Sequence, residues 1–203
     1  MLVVRYSKRN GAEFISHLDT LRHIQKTVLR EGISVAYSKG FNPHMLIFMS
    51  SPIAAGLISF AEYFFIESDI GEDEFKEKFN LNCPKGMRCE SVKKVDKNPN
   101  LAAIIDGARY VIKNVPDFVD LNMILNAKEF FVTDKKGRRV DVRDKIKDIY
   151  RQNGDAICYL ASGNSPLRVD LLINELNDIY KTEIDEVIKT DSFIGWQEVE
   201  KCI

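Results

Sequence analysis

Hydrophobic positions change period along the chain, and those changes predict its elements. Leu2 to Tyr6 is rich in β-branched and aromatic residues and reads as a strand, with Asn10-Gly11 as a turn before Phe14-Ile15. From Ser16 the spacing becomes helical. Leu18, Leu21, Ile24 and Val28 form one apolar stripe, Asp19 follows Ser16 as a variant capping box, and Gly32 closes the segment. Ile33 to Tyr37 reads as extended and is followed by a polar loop. Met45 to Met49 and Ala61 to Glu67 read as strands of a long hairpin. Gly71 to Phe79 is a short amphipathic helix, and Met87 to Val95 is a strand. The order strand, helix, two strands, helix, strand predicts an α+β fold with a ferredoxin-like split βαβ unit in the N-terminal half.

Lys93 to Asn100 is charged and contains proline, so it reads as a linker between a first domain, 1–98, and a second α+β subdomain, 99–203. Arg109 to Val115 then reads as a strand and Val119 to Ala127 as a helix. Glu129 to Thr133 and Arg138 to Val142 flank Lys136-Gly137 as a hairpin. A helical piece is expected near Lys145 to Tyr150, then a strand at Ala156 to Ala161, a helix at Leu167 to Tyr180 and a strand at Glu186 to Thr190. This order points to a second ferredoxin-like unit. The inference rests on element order alone, because no residue-level repeat is visible.

With 45% apolar and 29% charged residues in a chain of 203, collagen-like, low-complexity and wholly disordered classes are excluded. No window approaches the roughly 18 consecutive apolar residues of a membrane span. Nor does a basic region lead into an apolar one at the N-terminus, so a cytoplasmic location is expected. The formal net charge of -1 argues against a globally basic nucleic-acid binder. Charge is nevertheless segregated: residues 1–46 and 135–151 are rich in Lys and Arg, while 47–80 and 170–200 are rich in Asp and Glu. Such alternation can gather basic segments on one face, or can reflect ordinary solvated surfaces. Cys83, Cys89, Cys158 and Cys202 form no C-x-x-C pair and have no histidine nearby in sequence. They read as buried free thiols, and neither a metal nor a cofactor is implied.

Candidate chemistry concentrates in three places. Arg22, Lys26 and Arg30 follow one another at steps of four opposite the apolar stripe, a basic edge suited to a phosphate backbone and equally to a solvated face. His17 and Asp19 fall in the first turn of that helix, where the dipole favours a carboxylate and a neutral imidazole able to act as a base. The loop Tyr37-Ser38-Lys39-Gly40-Phe41-Asn42-Pro43-His44 interleaves turn makers with two aromatics, a cation and a histidine. Tyr37 and Lys39 there suit base stacking and phosphate contact, and Lys39, Asn42 and His44 read as a functional set. Phe41 reads better as a core anchor of the bend. Ser51 to Gly56 is a less polar loop placed to lie beside it, and Glu62 is positioned to hydrogen-bond to both. In the second half, Ser165 and Pro166 read as a helix cap and first helical position, or as an anion-binding helix start. His17, Asp19, Arg22, Lys39, Asn42 and His44 are expected to converge on one surface.

Phe14-Ile15-Ser16-His17-Leu18-Asp19, Arg22, and Ser38 to His44 together resemble the signature of a bacterial radical SAM-associated domain of unknown function. That family is found as a stand-alone chain or fused behind a radical SAM protein. The resemblance continues through Pro52, Gly56 and Glu62, and more thinly through Val140 to Arg143 and Gly163 to Arg168, which adds Arg168 to the binding candidates. Met45 and Ala54-Ala55 depart from the family pattern. The resemblance implies a separately encoded radical SAM partner and, through the family's gene neighbours, an RNA-linked role. The resulting expectation is a non-enzymatic accessory module that presents structured RNA such as tRNA or rRNA. The alternatives are a small RNA-processing enzyme using His17 or His44, and a pure protein–protein adaptor. No membrane partner is expected.

Overall fold

The computed structural model describes residues 1–203. The first half contains β1 (Leu2–Lys8), α1 (His17–Arg30), β2 (Ile47–Met49), β3 (Ile58–Ile66), α2 (Glu72–Asn82) and β4 (Met87–Lys94). The second contains α3 (Leu101–Ile104), β5 (Gly107–Ile112), α4 (Asn122–Asn126), β6 (Phe131–Thr133), β7 (Arg139–Asp141), β8 (Ile146–Gln152) and β9 (Asp155–Ala161). It closes with α5 (Val169–Tyr180), β10 (Val187–Ile194), β11 (Gln197–Glu198) and α6 (Val199–Cys202). The fold is α+β, with a mostly antiparallel sheet in the order β4-β1-β3-β10-β5-β9-β8 and a separate β6-β7 hairpin. No helix is long and apolar enough to cross a membrane.

β3 organises the sheet. Its sequence is apolar at nearly every position because both of its faces are covered. On one face, α1 and α2 bury Ile24, Val28, Phe75 and Phe79 against Tyr6 and Phe64. On the other, Val3, Tyr63 and Phe65 pack with Leu101, Ile105 and Val199 from beyond residue 98. One edge of β3 pairs with β1. The other is shared: β2 pairs antiparallel with its C-terminal end, from Ile47 opposite Ile66 to Met49 opposite Phe64. β10 pairs parallel with its N-terminal end, through Ile58 and Ser59. The second half has its own core, with Leu172 and Leu176 of α5 against Ile112 and Leu160.

Several expectations need correction. Ser16 does cap α1, accepting from the Asp19 amide at 3.1 Å, but Leu18 is 64% exposed. The buried stripe contains Thr20 and Thr27 in addition to Ile24 and Val28, since each threonine returns its hydroxyl to a carbonyl one turn earlier. Ile33 to Tyr37 is not a sheet strand. The chain from Ile33 to Leu46 makes an excursion tied down by Ala36 to Glu67 and by a single Tyr37–Met45 bridge. The segment expected to be helical near Lys145 to Tyr150 is strand β8. Ile146 and Ile149 stand at helical spacing, but a bulge between Ile146 and Asp148 puts both on the buried face. Cys89 and Cys158 are buried thiols, each pushed by burial up to about 12, whereas Cys202 is exposed.

Candidate functional site

The register separates the two histidines. His17 begins α1 beside the end of β1, where Lys8 pairs with Ser59. Partial burial and the neighbouring Lys8 ammonium hold its imidazole below the usual histidine range, so it is neutral near pH 7. Sequence reasoning expects that neutrality from the helix dipole; here it comes from burial and a cation. His44 belongs to the excursion, whose paired ends meet Glu67 at the opposite end of β3. The expected convergence fails because it assumed a loop after the second strand. The loop in fact precedes β2, so it emerges at the other end of the sheet.

Two exposed groups result. Near the start of α1, Arg22 pairs with Asp19 at 2.7 Å, and the Ser16 and Arg22 contacts keep the Asp19 carboxyl below its ordinary range. At its far end, Lys26 and Arg30 are exposed and unpaired, and the chain passes from there into the excursion. At its tip Lys39, Phe41, Asn42 and His44 are all exposed. Phe41 is fully exposed, which overturns its reading as a core anchor, and Tyr37 is half-exposed. The Ser38 hydroxyl lies 2.8 Å from His44 Nδ1 and also accepts from the His44 amide, so the ring is held with Nε2 outward. The second basic segment does not join this surface with free arginines. Arg143 donates to the Leu125 and Ile146 carbonyls and Arg151 to those of Val115, Pro116 and Val119, while Arg139 pairs with Glu175.

Glu62 points elsewhere. Its Oε1 accepts from Ser59 Oγ and from Lys189 Nζ, each at 2.8 Å, and both charged side chains are buried. It therefore does not hydrogen-bond to the loops as expected. Lys189 stands opposite Ser59 on one side and Tyr110 on the other, so the pair forms where the two halves meet.

Beside that pair, where β2 and β10 diverge along the edge of β3, lies a cavity of about 430 Å³. Lys189, Tyr110, Ser50 and Ser192 contribute from the sheet, and Ser162, Arg168 and Asp170 from the approach to α5. Pro52, Ile53, Ala54 and Leu57 give it an apolar wall. The loop after β9 runs close to Ile105: a Cβ on Gly163 would sit 2.6 Å from the Ile105 carbonyl oxygen, with φ at +73°. Only glycine fits that approach without strain. Ser165 is exposed and is not the cap of α5. Leu167 donates its amide to Ala161, which keeps the chain extended through Arg168. The helix starts at Val169 without a side-chain cap, and Arg168 forks onto Asp170, 2.9 Å from Nε to Oδ1.

Of the predicted residues, Glu62 and Arg168 thus belong to the junction and its cavity. Lys26, Arg30, Tyr37, Lys39, Phe41, Asn42 and His44 lie toward the opposite end of the sheet. His17, Asp19 and Arg22 stay at the start of α1. Sequence reasoning missed Lys189 and Tyr110. A signal existed for Lys189, a cation two residues after Val187 on the inward side of a strand. No curated protein matches the chain. Residues 1–173 match the DUF2344 family, described as an uncharacterized protein conserved in bacteria, and the chain belongs to that family.

Proposed function

We propose that this protein is an RNA-binding accessory module that presents structured RNA to a separately encoded radical SAM enzyme. The observation that carries the RNA reading is the tip of the excursion, where a fully exposed Phe41 stands between Lys39 and His44. An exposed ring between a lysine and an imidazole suits stacking on an unpaired base, with a phosphate contact from Lys39. Lys26 and Arg30 extend the cationic surface along the solvent face of α1. A local patch of this kind is compatible with a formal net charge of -1. The radical SAM partner rests on the resemblance of the Phe14–Arg22 and Ser38–His44 motifs. Binding of tRNA and rRNA fragments measured across a salt series tests the first part, and co-purification with the partner tests the second. A salt-independent affinity, or no association, would count against the respective part.

A second reading is favoured by one contact. The Ser38–His44 Nδ1 hydrogen bond leaves Nε2 outward, as a general base acting on RNA requires. Turnover of RNA by the isolated chain, abolished in His44→Ala, would establish the enzyme instead.

A further inference from the structure

We propose that the cavity at the junction of the two halves is a binding site for a small organic phosphate. Three independent features converge there. First, α5 begins without a side-chain cap, and Arg168, Val169 and Asp170 line the cavity, which places the positive end of the helix at its wall. Second, Tyr110 lines the cavity with 9% of its surface exposed, and its hydroxyl makes no hydrogen bond within the protein. A phenol on a side chain this deeply set, open to the cavity and without a protein partner, is placed to meet a ligand oxygen. Third, the buried Ser162 Oγ, on the side of the cavity formed by the approach to α5, also has no partner.

The balance of donors over acceptors suits an anion with an organic body. Glu62 is already met by Ser59 and Lys189, and Asp170 by Arg168, which leaves the carboxylates matched and donors in excess. Lys189 gives one of its three protons to Glu62 and keeps the others. A phosphoryl group has enough acceptor oxygens for the helix amides, the ammonium and two hydroxyls together. The wall of Pro52, Ile53, Ala54 and Leu57 suits an apolar or aromatic remainder, and about 430 Å³ is within the range of small-molecule sites. This site uses none of the exposed residues assigned to RNA, so either reading can fail without the other.

The test uses the full chain, with inorganic phosphate and adenosine 5′-monophosphate as probes and adenosine as the phosphate-free control. Amide resonances are followed by NMR, and affinity by calorimetry. Both phosphate probes should shift the amides of Gly163, Val169 and Asp170, and adenosine alone should not. Tyr110→Phe, which removes only the hydroxyl, should weaken binding of adenosine 5′-monophosphate about tenfold, and Ser162→Ala should act in the same direction. Neither variant removes apolar packing, so both should fold. Shifts confined to Lys26, Arg30 and the excursion, no shift with either phosphate at millimolar concentration, or unchanged affinity in both variants would overturn the proposal.

Discussion

The ammonium of Lys189 lies 2.8 Å from a carboxylate oxygen of Glu62, and both residues are buried where the halves of the chain meet. Each is the other's only salt-bridge partner, although the buried Lys8 ammonium also acts on Glu62 from further away. Removing one leaves a buried charge uncompensated, a cost of about 3–5 kcal/mol, whereas replacing both by neutral side chains of similar volume is far milder. Glu62→Gln and Lys189→Met are each expected to lower the urea midpoint sharply, and the double variant to regain most of the loss. Equal losses in the singles and the double would show that the pair does not act as a unit.

Lys26 and Arg30 contact solvent and no carboxylate, so they contribute little to stability. Lys26→Ala with Arg30→Ala should leave the melting temperature nearly unchanged while weakening RNA binding at low salt. If each meets one phosphate of a single strand or duplex, the slope of log affinity against log salt should fall by about 1.4 to 1.8. An unaltered slope would remove these two cations from the interface.

Phe41 is outside every core cluster, so Phe41→Ala should leave the unfolding transition in place. Loss of one base–ring stack should weaken binding of single-stranded or loop RNA by about 1–3 kcal/mol, and binding of continuous duplex much less. Titrations with a hairpin and with a matched duplex separate these outcomes. Equal losses on both would show that the ring does not stack on a base.

His17 gives the folded chain a pH dependence whose sign is fixed. Burial and Lys8 hold its folded value below the ordinary 6.5. As pH falls through that ordinary value the unfolded chain gains a proton that the folded chain refuses, so stability declines. His17→Gln should therefore lose less stability than the parent between about pH 7.5 and about pH 5.5, measured by urea unfolding at each pH. Parallel curves for the two proteins would mean that His17 titrates alike in both states.

Much of the secondary structure was legible where the pattern is local. Ser16 with Asp19 announced the start of α1, and Lys136-Gly137 announced the β6-β7 turn. The errors fall where tertiary contacts override period. The bulge in β8 turned strand positions into helical spacing, and the amide of Leu167 bound to Ala161 delayed α5 past Pro166. The site was harder to read for the same reason. Glu62 and Lys189 are separated by most of the second half in sequence, and only the parallel contact of β10 with β3 brings them together. Phe41 was misjudged because aromatic character alone does not say which side of a bend faces water.

β10 lies far from β3 in sequence, yet it joins β3 to β5, and α6 behind it covers the back of the first half through Val199. Glu200 then accepts from Tyr63 at 3.0 Å and pairs with Arg5 at 3.3 Å. Until β10 and α6 are in place, the N-terminal end of β3 keeps a bare edge, and Val3, Tyr63 and Phe65 stay incompletely covered. A chain in which only the first half has folded therefore presents an adhesive strand edge, and it is the far end of the sequence that covers it.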